Sequence, residues 1–326
     1  MARIVVGAAT SRTAMLSIPP DLWPVMGQGD RQGRPLRDRT GRLQTFEEAL
    51  SLAGPAVAAE ITPEANVRKH AAAVAALDRL ADALEQADPD VIVQMGDDEE
   101  ENIHGGNQPS IAVFHGPSFP LKPVIAGPEK DAVSRASAWS FGAIERDYPV
   151  PVDLAVHLAS YLMDAEFDIA SSNALPAGAG MAHGFSFMFK RLMRERPVPI
   201  VPLILNTHYP PNQIAPRRAY NLGRAVKSAV EAWPHDLRVA VVATGGMSIG
   251  LVDAEMDRHL LDSLQRRDTS AIFSLPRKWL EGRTGESYTF IATGGAAEHL
   301  TMDWQYFPGY RSPAGTGCGL GFALWR

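Results

Sequence analysis

The groups in this chain best suited to chemistry are carboxylates and imidazoles, and several stand at the ends of apolar runs. Val91 to Met95 leads into Gly96-Asp97-Asp98-Glu99-Glu100-Glu101, an unbroken row of acids. Carboxylates at a strand end suit a hard cation or proton transfer; on a solvated turn they would do neither. Ile200 to Leu205 leads into Asn206-Thr207-His208, a good position for a ligand contact. His183 follows the small residues Ala177 to Ala182 and opens a helix, where the positive dipole end favours a neutral imidazole. His157 lies inside an amphipathic helix, where a lone histidine more often packs than reacts. Thr244-Gly245-Gly246-Met247-Ser248 ends another apolar run, and adjacent glycines allow a tight turn or close approach to a ligand. Neither G-x-G-x-x-G nor a P-loop lysine is present, so this is not a phosphate loop. H-E-x-x-H, paired Cys/His spacing and G-x-S-x-G are also missing, which leaves zinc and a hydrolase serine unsupported.

The elements that must carry these groups alternate between strand-like and helix-like runs, the pattern of an α/β sheet covered on both faces. Ile4 to Ala8, Val91 to Met95, Ile111 to His115, Lys122 to Ile125, Ile200 to Leu205 and Val239 to Thr244 read as strands. Thr62 caps a helix carrying apolar residues at helical spacing from Val67 to Leu84. Further helices are expected over Asp153 to Met163, Phe185 to Met193, Arg217 to Trp233, Asp253 to Leu264 and Tyr288 to Leu300. Ser17 to Glu60 (17–60) is rich in Pro, Gly and Arg and reads as a long surface excursion. The glycine-rich tail, Trp304 to Arg326 (304–326), is expected to pack as an irregular wrap. No repeat or low-complexity linker divides the chain, so one domain over 1–326 is expected.

The 326 residues are 45% hydrophobic, enough to bury a full core. A net charge of -6 without a basic run argues against nucleic acid as a partner. The one cysteine, Cys318, permits no internal disulfide and fits a reducing compartment. No signal-like segment opens the chain and no membrane-length apolar run occurs. A cytoplasmic homo-oligomer is expected.

Taken together, the segments resemble the class III extradiol ring-cleavage dioxygenases of the LigB type, most of all the methylgallate and gallate dioxygenases. The carriers run nearly end to end: Gly7-Ala8-Ala9-Thr10-Ser11-Arg12-Thr13-Ala14-Met15-Leu16, the Gly96-Asp97-Asp98 loop, Asp153-Leu154-Ala155-Val156-His157-Leu158, Phe167-Asp168-Ile169-Ala170 and Ala182-His183-Gly184-Phe185. They continue with Tyr209-Pro210-Pro211-Asn212-Gln213, Gly245-Gly246-Met247-Ser248 and Pro308 to Gly317. Each motif is weak alone, and their order and spacing make the resemblance specific. It implies a three-layer αβα domain around a mixed sheet. It also implies a small aromatic acid or phenol as ligand, and Fe(II) held by two histidines and a glutamate with open positions for substrate and dioxygen.

Matched position by position, the glutamate ligand is Glu286, the substrate-contacting histidine is His157, and the family's other recurring histidine is His183. Where the first iron histidine belongs stands Arg12, and where the second belongs stands Glu99, beside Asp98. Where the acid/base histidine belongs stands Ile249. Arg12, Asn206, His208, Ser248 and Ile249 are expected to contact substrate. Glu286, Glu99 and Asp98 would bind the metal if one is retained. Arginine has no lone pair to offer and stays protonated. At ~4 Å and an effective dielectric of ~20 it would repel a divalent ion by about 8 kcal/mol. The expectation is that Arg12 fills the metal's space and is neutralised by Glu286 with Glu99 or Asp98; the alternative turns Arg12 to solvent. Dioxygenation would then be altered or lost. A metal-independent hydrolase, lyase or isomerase using His157 or His183, or a non-catalytic binding paralogue, stays open.

Overall fold

The computed structural model describes residues 1–26, 36–123, 130–142 and 144–326. Nine strands among them join in one sheet: β1 Arg3–Ser11, β2 Val91–Gly96, β3 Ile111–Phe114, β4 Ala170–Ser172, β5 Ile200–Leu205, β6 Arg238–Gly245, β7 Ile249–Leu251, β8 Met302–Arg311 and β9 Thr316–Trp325. Their order is β7-β9-β1-β6-β2-β5-β3-β4, and β8 also pairs with β9. The central strands β1, β6, β2 and β5 run parallel, β3 pairs antiparallel to β5, and β9 pairs antiparallel to β1. Their apolar runs are buried throughout, as strands covered on both faces require.

Neighbouring side chains of β2 show the two covering layers. Gln94 Nε2 donates to the carbonyls of Gly184 (3.2 Å) and Phe185 (3.3 Å), whereas the next residue, Met95, receives Thr293 Oγ1 at 3.6 Å. Successive strand residues face opposite sides, so the helix His183–Phe187 and the helix Ser287–Ala296 lie on opposite faces. The helix Pro63–Ala87 starts as its sequence dictates. Thr62 accepts from the Ala65 amide, Pro63 sits at the first position, and Asp88 closes it in the left-handed region at φ 42°. The wholly buried Ser287–Ala296 packs against Pro216–Glu231. A Cβ on Gly223 would collide with the Ala292 carbonyl, so that close approach requires glycine.

The tail corrects the expectation for 304–326. It is no irregular wrap, because β8 and β9 form a long hairpin that extends the central sheet. Glycine-rich runs read as poor strand formers, but here the small residues serve packing. A Cβ on Gly321 would lie 2.8 Å from Met247 Cγ. The strand expected at Lys122 to Ile125 is found at Ser118–Leu121, paired with Arg146–Pro149, and residues 124 and 125 lie outside the described residues. The helix expected from Phe185 begins at His183 and continues as a π-helical turn, Met188–Leu192. The excursion at 17–60 holds short helices and a small ladder, Leu36–Arg37 with Leu43–Gln44; residues 27–35 lie outside the described residues.

Candidate active site

The carboxyl ends of β1, β2, β5 and β6 meet at one edge of the sheet, and there Arg12, Asp97, Asn206 and Gly246 follow directly, with Thr207 one residue beyond Asn206. That edge is where open parallel sheets bind ligands. Arg12 is buried, with 6% of its surface exposed. Its Nη1 donates to Asp97 Oδ1 at 2.5 Å, and its Nη2 pairs with Glu99 Oε1 and lies 3.3 Å from Glu286 Oε1. The space for this side chain is made by Gly184, where a Cβ would collide with Nη1. Glu99 is aimed inward by two successive left-handed residues, Glu99 at φ 46° and Glu100 at φ 62°. Such conformations cost non-glycine residues on the order of 1 kcal/mol each and persist where surrounding contacts compensate. Glu286 arrives on the turn Gly282–Glu286 that leads into Ser287–Ala296.

The electrostatics follow from burial and proximity. Burial disfavours the Arg12 charge, but Asp97, then Glu286 and Glu99, outweigh it and hold the guanidinium above its ordinary value. Glu99 is likewise desolvated, yet a hydrogen bond from His183 and the charge of Arg12 keep it well below the usual carboxylate range. Glu286 is the third carboxyl beside one cation. Burial pushes it up to about 7, Arg12 opposes, and Asp97 and Glu99 add to the rise.

His183 bridges Glu101, which also accepts its backbone amide, and Glu99 at 3.4 Å from Nε2. Burial and Arg12 disfavour its cation, but hydrogen bonds to Glu101 and Glu99 prevail and raise it to about 9. This reverses the expectation of a neutral imidazole from the helix start, because two carboxylates outweigh a single short helix end. His208 lies opposite. Its Nδ1 is 2.7 Å from Thr207 Oγ1, which in turn donates to Asp97 Oδ2 at 2.7 Å, and burial lowers its pKa.

Two adjoining cavities open above these groups. One of about 370 Å³ lies over Arg12, His183 and Phe141. A wider cleft of about 750 Å³ runs past His208, Ser248 and Trp279. Glu99, Ile249 and Arg283 line both.

The sequence profile of the catalytic LigB subunit of aromatic ring-opening dioxygenases matches residues 53–297. The chain belongs to that family. Among characterised LigB-type relatives, it is 37% identical over 137 residues to a gallate dioxygenase of Pseudomonas putida, covering 38% of each chain. It is 32% identical over 118 residues to a 2,3-dihydroxyphenylpropionate/2,3-dihydroxicinnamic acid 1,2-dioxygenase of Azotobacter vinelandii, covering 36% of each. The Cupriavidus necator enzyme of the same name is 34% identical over 108 residues, 33% of each. The aligned part thus spans little more than a third of each relative's length. Among the described residues no helix is long and apolar enough to cross a membrane.

This LigB chain keeps metal-type donors. Atoms of Asp97, Glu99, His208 and Glu286 all lie within 4.8 Å of one another, a set that could hold a metal ion. As arranged they do not fit the family's iron. Three of the four are engaged by a guanidinium that has no lone pair to contribute and carries the same sign of charge as the metal.

The remaining expected residues divide clearly. The inner partners from the acidic loop are Asp97 and Glu99, not Asp98. Asp98 faces the other way, accepting from the amides of Asn102 (2.8 Å) and Ile103 (2.7 Å) to cap its own loop. His157 is not brought to the cleft. Its Nε2 lies 2.8 Å from the Ala229 carbonyl and its ring packs on Trp233, between Val152–Asp164 and Pro216–Glu231. Asn206 braces the turn that presents His208, through Tyr209 O and N at 2.8 Å each. Ser248 reaches the wide cleft but commits its hydroxyl to Asp257 at 2.6 Å. Ile249 lines both cavities as an apolar wall. Asp97 and Glu101 were not singled out from their neighbours in sequence, and only the alternating direction of successive loop residues could have separated them.

Proposed function

We propose that this protein binds a small aromatic acid or phenol in the cleft above Arg12, and that iron-dependent ring opening is altered or lost. One observation supports the reading: the guanidinium is buried among Asp97, Glu99 and Glu286, in the place where metal-type donors converge. Ile249, which can move no proton, stands in the same cleft. Family membership and the names of the relatives favour an aromatic ligand.

The test is anaerobic titration with ferrous iron, followed by oxygen uptake with gallate, protocatechuate and methylgallate. The expected result is no stoichiometric iron and no uptake, with a thermal shift on adding the aromatic acids. Tight iron at one ion per chain, with uptake abolished by Glu286→Ala, would sink the reading and restore a dioxygenase. A metal-independent enzyme is favoured by one feature: His183 lines the cavity and is held as a cation, so it can donate a proton to a bound ligand but is a poor base. Turnover of a ring-derived acid that survives chelators and is lost in His183→Gln would support it. A binding or regulatory paralogue would show the thermal shift without turnover.

A further inference from the structure

We infer that His208, with its ring set by Thr207 and Asp97, is the group that receives the hydroxyl hydrogen of a phenolic ligand. This rests on the aromatic-ligand reading above and adds to it a residue and a binding orientation.

The tautomer follows from counting hydrogens. Thr207 has one hydroxyl hydrogen, and it goes to Asp97 Oδ2 at 2.7 Å, since a carboxylate only accepts. The contact of 2.7 Å between Thr207 Oγ1 and His208 Nδ1 therefore needs its hydrogen from the ring. That leaves Nε2 as a bare lone pair. Among the described residues, buried Nε2 has no hydrogen-bond partner, and the same holds for Glu286 Oε2. The two side chains are 8% and 4% exposed, with Nε2 lying 3.9 Å from Glu286 Oε1. Buried acceptors without donors are uncommon because each costs about 1–3 kcal/mol. A ligand that supplies a hydrogen removes that cost.

The surroundings select the kind of donor. An ammonium is disfavoured because Arg12 already stands 3.3 Å from the same Glu286 carboxyl. A ligand carboxylate is disfavoured at this spot by Glu99 and Glu286. Such a group fits better beside Lys278, which lines the same cleft, since Arg283 is already 3.5 Å from Glu99. Ile249 and Trp279 on the cleft wall offer apolar faces for a ring. A neutral aromatic hydroxyl on Nε2, with the acid group directed toward Lys278, satisfies each of these constraints.

Calorimetric titration with 4-hydroxybenzoate, 4-methoxybenzoate and benzoate tests the assignment. Wild type is expected to favour the hydroxyl compound by about tenfold, the worth of one hydrogen bond on binding. His208→Leu should erase that preference while still binding benzoate, and Thr207→Val should weaken it by freeing the ring. Equal affinity for the three ligands in wild type, or a preference that survives His208→Leu, would overturn the assignment and leave the aromatic-ligand reading standing. Binding of none of them would remove both. Should the variants fail to fold, ¹⁵N NMR of wild-type histidines decides independently: His208 is expected to carry its hydrogen on Nδ1, and a hydrogen on Nε2 refutes the inference.

Discussion

Two groups of buried acids stand on either side of the loop after β6, and they are stabilised in opposite ways. Around Arg12, three carboxyls share a cation. Asp257 is 1% exposed and forms no ion pair among the described residues. It is held by the Ser248 amide (2.8 Å), the Ser248 hydroxyl (2.6 Å) and the Tyr306 hydroxyl (2.8 Å). Burial pushes Asp257 up to about 7, which its hydrogen bonds only partly oppose, whereas the cation beside Glu99 helps keep that acid low. Glu286, buried beside the same Arg12, is nonetheless pushed up to about 7, so a neighbouring cation keeps a carboxyl low only where desolvation does not outweigh it.

Removing the cation should have the largest effect. Arg12→Ala leaves carboxylates buried without a counter-charge, and breaking such a pair costs about 3–5 kcal/mol. Urea denaturation at neutral pH should show that loss. The deficit should shrink as pH falls, because protonated carboxyls need no cation. An Arg12→Ala protein as stable as wild type would mean that the two groups do not differ as described.

The next effect concerns Asp257. Its folded pKa lies above the ordinary value of 3.8, so the folded state binds the proton more tightly. Its contribution to stability is complete below about pH 4 and is lost as pH rises through about 7. Asp257→Asn removes that loss. The variant should be more stable than wild type above pH 7, with a flatter melting temperature between pH 5 and 8. A parallel decline in both proteins would show that Asp257 does not titrate there.

A smaller effect is expected at His183. Glu101→Gln deletes one of the two carboxylates that raise this imidazole to about 9. NMR titration should find its pKa lower by roughly one unit, the scale of a lost charged partner. Because the folded value exceeds the ordinary 6.5, this group stabilises fully below that pH and less as pH climbs toward 9. In the variant the contribution should be smaller and its loss complete at a lower pH. The smallest effect is expected for His157→Ala. It should leave aromatic binding unchanged, because its ring hydrogen-bonds to Ala229 away from the cleft.

Much of this architecture was legible in the sequence. The buried strands announced themselves as apolar runs, and the helix from Pro63 through its Thr62 cap. The pairing of Arg12 with Glu286 and Glu99 was legible only through family resemblance, since no local pattern joins residues so far apart in the chain. Asp97 and Asp98 could not be told apart, because which of two adjacent acids faces inward depends on loop dihedrals that the row of acids leaves open. His157 was assigned to substrate by family resemblance alone, against the local reading that a lone helical histidine packs, and a matched motif does not say what covers its helix; the ring lies on Trp233 and Ala229. The β8–β9 hairpin was hidden by its glycines, whose role is to admit Met247 rather than to loosen the chain.

The back-to-back left-handed turns at Glu99 and Glu100 have an architectural consequence. Glu99 borders both cavities together with Ile249 and Arg283, so this side chain is part of the partition between two rooms, and Arg12, His183 and Arg283 are the latches that hold it in place. A guest in either room therefore meets the same carboxylate.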